Sequence, residues 1–169
     1  ITVGAHRLGK CIDVNNGLDG DGPFSPERAG TLPAADLVRL CFSGKWSESE
    51  LLSRIAGQAG LVAWLGTSDV REVLSRIEAG DERARLVLDA MIYSVAKSIG
   101  AQAVVLCGKV DAILLTGGLA HADYITSRLR ERVSFIAPIH IYPGENELEA
   151  LAENALAVLR GEREVRTYV

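Results

Sequence analysis

A single apolar period runs through the middle of the chain, over residues 81–107. Apolar side chains recur there every three or four positions, at Val87, Met91, Val95, Ile99, Ala103 and Leu106. This spacing is typical of one face of an α-helix. It continues past Gly100, although a glycine costs a helix about 1 kcal/mol. The sequence therefore predicts one long helix from Asp81 to about Cys107, and any fold of this chain has to accommodate it.

Strands and helices alternate after this long helix. An apolar strand is predicted over 110–115 and ends at Thr116-Gly117-Gly118, and a helix follows over about 123–132. A second strand near 136–142 leads into a last helix that ends at about Arg160. Alternation of this kind favours an α/β fold with parallel strands.

The first half of the chain is predicted to contain a hairpin, a long loop and short helices. Alternating apolar residues in 1–14 predict a β-hairpin, which would make the sheet mixed. Residues 15–32 predict a loop without a helix, and loops of this length are often functional. Short helices are predicted after Pro33, after the Ser47–Glu50 capping box and after Thr67 or Ser68, whereas the apolar segment 61–65 is of uncertain type.

Composition narrows the class of protein. Apolar residues make up 48% of the chain and charged residues 24%, as in a soluble globular domain. The net charge is −4 with scattered lysines and arginines, which argues against a nucleic-acid partner. No apolar run approaches the roughly 18 residues of a membrane span. Three widely spaced cysteines, Cys11, Cys41 and Cys107, predict buried free thiols and a cytoplasmic protein.

The segment VDAILLTGG, residues 110–118, is the first candidate for ligand binding. A buried strand runs into two glycines and then into a helix. Glycines let a backbone approach a ligand closely, and a helix N-terminus attracts phosphate. A plain tight turn has the same pattern, so the segment alone leaves both interpretations open.

The glycine-rich loop NNGLDGDGPFSPERAG, residues 15–30, is the second candidate. Its Arg28 could bind phosphoryl oxygens in a bidentate way, or could pair with a surface acid. Asp19 and Asp21 could bind a cation, or could simply form turns beside their flanking glycines. Spacing alone does not choose between these alternatives.

Acidic residues before two predicted helices have two possible roles as well. Glu145 and Glu147 precede the last helix, where acids favour the helix dipole but could also help to hold magnesium near phosphates. Asp69 stands at the start of an earlier helix, where an acid is a common first-turn residue.

Together these segments resemble the butyrate kinases of the acetate-kinase family, within the actin-like ATPase superfamily. The resemblance extends from Ile1 to about Gly161. The stretches that carry it are VGAHRLGKCIDVNNGLDGDGPFSPERAG, DLVRLCFSGK, GLVAWLGTSDVREV, VDAILLTGGLAHAD, ERVSFIAP and YPGENELEALAENAL. The loop before Arg28 and the LTGG segment are specific to the butyrate type.

The resemblance implies a ribonuclease H-like domain over residues 1–161, with flanking helices and a frayed tail over 162–169. ATP or ADP would sit in a cleft between this domain and a second one. The residue roles that it implies are catalysis by Arg28, nucleotide binding by Asp69, Val70, Arg71, Gly117, Gly118 and Leu119, and magnesium association by Glu147 or Glu145. The implied reaction is reversible phosphorylation of a short-chain carboxylic acid, with butanoate the expected acid.

Two departures from the family pattern limit these expectations. Ala120-His121-Ala122 stands where acetate kinases have Gly-Glu-Asn, which points away from acetate kinase itself. The N-terminal domain and the phosphate turn expected before Ile1 are absent, so we interpret the chain as an inactive nucleotide-binding half of a homo-oligomeric enzyme. The alternative is a noncatalytic actin-like nucleotide-binding or assembly module.

Overall fold

The computed structural model describes residues 1–144 and 147–165. Within these residues there are four strands: β1 (Gly4–Arg7), β2 (Lys10–Val14), β3 (Ile113–Gly117) and β4 (Ile139–Pro143). The helices are α1 (Ala34–Cys41), α2 (Glu48–Ile55), α3 (Gly60–Leu65), α4 (Val70–Glu78), α5 (Glu82–Val105), α6 (Asp123–Val133) and α7 (Glu147–Leu159). A short 3₁₀ helix, Gly118–His121, connects β3 to α6.

The long predicted helix is confirmed as α5, and it forms the centre of the core. Asp81 caps it by accepting a hydrogen bond from the Ala84 N–H at 2.9 Å. Its apolar period is buried against α4 and α6. Of the apolar residues that define the predicted period, Val87, Met91, Val95 and Ile99 are at most 9% exposed, so the predicted face is the buried one along most of the helix. Ala103 and Leu106, near its C-terminal end, are only partly buried.

The predicted α/β class is confirmed, and the strands form two separate ladders. β1 and β2 pair antiparallel, with a bulge between Ala5 and His6. β3 and β4 pair parallel, with Ile113 opposite Ile139 and Gly117 opposite Pro143. Among the described residues no strand joins the hairpin to the parallel pair, so the expected mixed sheet is divided in two. A cleft separates the two ladders, and α5 lines it.

The first half agrees with most of the sequence predictions. No helix interrupts residues 15–32, and the Ser47–Glu50 capping box forms with both of its hydrogen bonds. The uncertain segment 61–65 is helical, as most of α3. The cap of α4 is Asp69, one or two residues later than predicted, because its carboxylate accepts from the Arg71 N–H.

Burial of the three cysteines was predicted wrongly. Cys11, Cys41 and Cys107 are free, as expected, but all three are exposed. Cys11 lies on the outward-facing β2, Cys41 ends a helix without buried residues, and Cys107 follows the end of α5. Their positions in the fold outweigh the general tendency of free cysteines to be buried. In the described part of the chain, no helix is long and apolar enough to cross a membrane.

Candidate functional site

The cleft between the two ladders has a volume of about 1220 Å³. Its walls are the first strand with the residues before it and the strand β3, and its floor is α5. Gly117, Gly118 and Leu119 line it, and so does Pro26 of the loop that carries Arg28. The structure therefore brings two of the sequence candidates, the TGG turn and the Arg28 loop, to one cleft.

The backbone around Arg28 is fixed by a second segment, residues 55–62. The Arg28 N–H donates to Ser25 Oγ at 3.2 Å, and Arg28 forms an antiparallel bridge with Ala56. The Gly57 N–H donates to the Glu27 carbonyl at 2.8 Å. These bonds hold the loop in one conformation without using any atom of the Arg28 guanidinium.

The Arg28 side chain is half-buried, and no carboxylate among the described residues lies in salt-bridge range of it. It lies close enough to the Ile1 amino group that its charge contributes, after burial, to lowering the pKa of that group. A partly buried guanidinium without a carboxylate partner is suited to binding an anion. The alternative interpretation, in which Arg28 forms a surface ion pair, is not supported, because no carboxylate among the described residues is in range.

The two glycines of the TGG turn differ in conformation. Gly117 ends β3 with φ +81° and ψ 177°, a region that only glycine occupies readily. Its N–H donates to the Gly144 carbonyl at 3.0 Å, and the Gly144 N–H donates back at 3.1 Å. Gly118 does not have a positive φ, and a Cβ built on it meets nothing within 4 Å. The backbone requirement for glycine therefore lies at Gly117, whereas Gly118 leaves open space beside the cleft.

Asp69, Val70 and Arg71 start α4 and do not line the cleft. The Arg71 guanidinium donates to both Asp69 oxygens, at 3.0 and 2.8 Å. These bonds, with the bond from the Arg71 N–H, lower the pKa of Asp69 to about 2. Val70 is buried in the core. Asp69 therefore caps the N-terminus of α4. A role of Asp69, Val70 and Arg71 in nucleotide binding stays a prediction.

The candidate metal ligands are not assembled in the described part of the chain. Asp21 accepts hydrogen bonds from Thr31 Oγ1 and from the Gly22 and Asn16 N–H groups, and Asp19 accepts from Asn16 Nδ2. These contacts fit the turn interpretation. No group of three possible metal ligands occurs among residues 1–144 and 147–165. Glu145 lies outside the described residues, and Glu147 begins α7 with a side chain that is not described.

Sequence reasoning missed Gly60, the residue on which the Arg28 loop rests. Gly60 has φ +59°, and a Cβ there would lie 1.7 Å from the Ser25 carbonyl oxygen. The Leu61 N–H donates to that same oxygen at 3.3 Å. Nothing in the local sequence signals this contact, since both α1 and α2 separate Gly60 from Ser25 along the chain.

Two kinds of known protein are similar to this chain: curated proteins of similar sequence and solved structures of similar fold. The chain is 62% identical over 168 residues to a protein named "Probable butyrate kinase" from Bacteroides thetaiotaomicron, covering 99% of this chain and 48% of that protein. It is 51% identical over 168 residues to a protein of the same name from Clostridium botulinum, covering 99% and 47%. The chain therefore spans about half the length of the curated relatives it matches.

Solved structures show the same fold at lower identity. Porphyromonas gingivalis acetate kinase superposes with a TM-score of 0.83 at 21% identity, over 94% of this chain and 46% of that one. A propionate kinase from Francisella tularensis gives 0.77 at 23% identity, over 87% and 44%. Residues 2–157, which include the Arg28 loop and the TGG turn, match the Acetokinase family. The chain belongs to the acetokinase family.

Proposed function

We propose that the full-length protein phosphorylates a short-chain carboxylic acid, butanoate, with ATP, and runs the reaction in reverse with ADP and butanoyl phosphate. This chain supplies the nucleotide-binding half and is inactive by itself. The observation that carries the proposal is the position of the Arg28 loop and the TGG turn at one cleft. The identity of 62% to a probable butyrate kinase supports the choice of acid.

Phosphoryl transfer makes specific demands that Arg28 can meet. The transition state spreads negative charge over the transferring group, so catalysis depends on positioning and charge stabilisation. Arg28 offers a charged fork on a loop that hydrogen bonds have already fixed. A group positioned in advance costs no reorganisation during the reaction. We assign Arg28 to stabilise charge on the transferring phosphoryl group.

The TGG turn is assigned to the adenosine side of the nucleotide. Gly117 places the backbone in a conformation that brings β3 and Gly144 together, and Gly118 and Leu119 border the cleft. The absence of a side chain at Gly118 leaves room for a ligand to approach the backbone. Asp69, Val70 and Arg71 are retained as a second nucleotide-binding segment on the basis of the resemblance alone.

Magnesium is the metal that this chemistry would use. Mg²⁺ is typically held by one or two carboxylates together with substrate phosphates, so three clustered protein ligands are not required. Gly144, the residue before Glu145, is hydrogen bonded to Gly117 at the cleft. Glu147, or alternatively Glu145, would hold the ion, which would neutralise charge on the nucleotide phosphates.

Exposed apolar side chains support a larger assembly. Phe42, Phe135, Leu148 and Leu159 are all more than 80% exposed, and the last two lie on α7. Apolar surface of this kind commonly marks contacts with other protein. We propose that the other half of the polypeptide covers part of it, and that the complete protein is a cytoplasmic homo-oligomer.

The test is an acyl-hydroxamate assay of a chimera, in which this chain replaces the matched part of the Bacteroides thetaiotaomicron relative. The assay compares straight-chain acids of two to six carbons and isobutyrate. We expect ATP-dependent acyl phosphate with butanoate preferred. One methylene is worth only about 1–3 kcal/mol of discrimination, so neighbouring acids should react more slowly rather than not at all. A folded chimera that binds ADP but phosphorylates no acid would favour the noncatalytic module.

A further inference from the structure

The side chain of Asn15, just after β2, joins two separate segments of the chain. Its Oδ1 accepts a hydrogen bond from the Val3 N–H at 2.7 Å. Its Nδ2 donates to the Asp21 carbonyl at 3.0 Å and to the Ile1 carbonyl at 3.4 Å. Ile1 and Val3 line the cleft, whereas Asp21 belongs to the glycine-rich loop. Asn15 itself does not line the cleft, so its contacts are with protein groups behind the wall.

The amide of asparagine matches the three partners of this side chain. They are one N–H group and two carbonyl oxygens, so position 15 needs an acceptor and a donor on one short side chain. Asparagine has both, whereas an ionised aspartate only accepts and alanine does neither. The contact therefore depends on the chemistry of the amide as well as on the size of the side chain.

Gly22 lets the Asn15 amide lie directly against the glycine-rich loop. Gly22 has φ +84°, and a Cβ built on it would overlap Nδ2 of Asn15. The same glycine closes the loop, because the Thr31 N–H donates to the Gly22 carbonyl at 2.9 Å and the Gly22 N–H donates to Thr31 Oγ1 at 3.0 Å. Asn15 is therefore packed at the neck of a closed loop, residues 22–31.

The closed loop carries Arg28 near its tip. Inside the loop, the Ser25 N–H donates to the Arg28 carbonyl at 3.0 Å, and the Arg28 N–H donates to Ser25 Oγ at 3.2 Å. Burial and the nearby charge of Arg28 lower the pKa of the Ile1 amino group, so the guanidinium lies near the segment that Asn15 also holds. A change at Asn15 would thus alter how the loop sits against the cleft wall.

We propose that Asn15 is a positioning residue for Arg28. Its amide fixes the cleft wall at residues 1–3 relative to the neck of the loop, and thereby fixes where the guanidinium meets a phosphoryl group. The inference rests on the phosphoryl-transfer function proposed above, and it assigns a role to a side chain that does not itself act on the transferring group. Positioning of this kind matters, because a misplacement of about 1 Å can cost roughly 100-fold in rate.

Two neighbouring variants of the chimera test the effect on activity. Asn15→Ala should lower kcat by about 10–100-fold with little change in the ADP Kd, because the nucleotide site remains while Arg28 is misplaced. Asn16→Ala removes the same side chain one position along the chain. Its hydrogen bonds reach only Leu18 and Asp19 in the exposed bend, so kcat should be unchanged. A normal kcat in folded Asn15→Ala, or an ADP Kd that weakens as much as kcat falls, would overturn the proposal.

A double variant separates positioning of Arg28 from a general structural role. In the Arg28→Ala background there is no guanidinium to position, so adding Asn15→Ala should lower kcat no further, since residues that act as a unit are not additive. An equal further fall in both backgrounds would assign Asn15 to structure alone. A low kcat in Arg28→Ala with a normal kcat in Asn15→Ala would refute only the positioning role. A normal kcat in Arg28→Ala would refute the function proposed for Arg28, and the positioning role with it.

Asn15→Asp keeps the test decisive if Asn15→Ala fails to fold. Aspartate has nearly the same size and can still accept from the Val3 N–H, but once ionised it cannot donate to the Asp21 carbonyl. Its kcat should therefore fall as in Asn15→Ala. A normal kcat in folded Asn15→Asp would show that the hydrogen bond to the loop is not needed, and would overturn the proposal.

Amide hydrogen exchange of this chain, followed by NMR, tests the contact without any activity. In Asn15→Ala the Thr31 amide, which closes the loop neck, should exchange faster by about tenfold or more. The Leu61 amide, which is bonded on the α3 side of the loop, should keep its rate and so excludes global destabilisation. Faster exchange at Val3 alone, with Thr31 unchanged, would show that Asn15 does not hold the loop and would contradict the proposal.

Discussion

Gly60→Ala should destabilise this chain by roughly 3–5 kcal/mol, far more than a typical glycine substitution. Part of the cost is conformational, because the left-handed φ of +59° penalises an L-residue by about 1–2 kcal/mol. The larger part is steric, since the new Cβ would lie 1.7 Å from the backbone oxygen of Ser25. Backbone cannot rotate away as a side chain can, so the two segments must separate.

Separation of the segments breaks identifiable hydrogen bonds. The Leu61 N–H bond to the Ser25 carbonyl, at 3.3 Å, and the Val62 N–H bond to the Pro26 carbonyl, at 3.0 Å, both cross this contact. Each is worth about 1 kcal/mol, and more where a buried group is left without a partner. Ser25 is 4% exposed, so its groups would not easily be satisfied by water.

Urea unfolding followed by circular dichroism measures the effect, with Gly66→Ala as the matched control. Gly66 ends the same helix with φ +78°, but a Cβ there meets nothing within 4 Å. The control should lose only the conformational term, about 1–2 kcal/mol. If the two variants unfold at the same urea concentration, the contact between Gly60 and the Arg28 loop does not contribute as the structure indicates.

Three further predictions concern the ligand, the turn and pH. This chain alone should show no kinase activity and should bind ADP with a Kd near or above about 1 mM, equivalent to about −4 kcal/mol, by calorimetry; clear turnover would refute the assignment as a half-enzyme. In the chimera, Gly118→Val should weaken ADP by about tenfold with little change in Tm, whereas Gly117→Val should lower Tm; an unchanged ADP affinity in folded Gly118→Val would remove the turn from the site. Because the pKa of Asp69 is depressed to about 2, its contribution to stability is complete above about pH 4 and is lost as the pH falls toward 2. Asp69→Asn should therefore reduce the pH dependence of the free energy of unfolding, measured by urea titration, between about pH 4 and pH 2. The same pH dependence in Asp69→Asn and in the original chain would refute this linkage.

Elements defined by a long local period could be predicted from the sequence, and contacts between distant segments could not. α5 was found because its apolar period extends over several turns, and the α2 capping box because its signal spans four residues. α3 is too short for a period to separate a helix from a strand.

The division into two ladders and the support of the Arg28 loop depend on long-range contacts. Strand pairing depends on which segments meet in three dimensions. No local pattern in β1 reveals that its second edge is unpaired among the described residues. The role of Gly60 depends on Ser25, far away in sequence. The TGG turn was located correctly, but its conformationally demanding glycine is Gly117, which only the backbone angles distinguish from Gly118.

The role of Arg28 is tested most directly by Arg28→Ala in the chimera, with kcat and the ADP Kd measured on the same protein. Its side chain has no carboxylate partner in the described structure, and its backbone bonds survive the substitution, so the fold should be retained. The account predicts a fall in kcat of about 10³-fold or more, equivalent to about 4 kcal/mol, with little change in Kd. A normal kcat in the folded variant would contradict it.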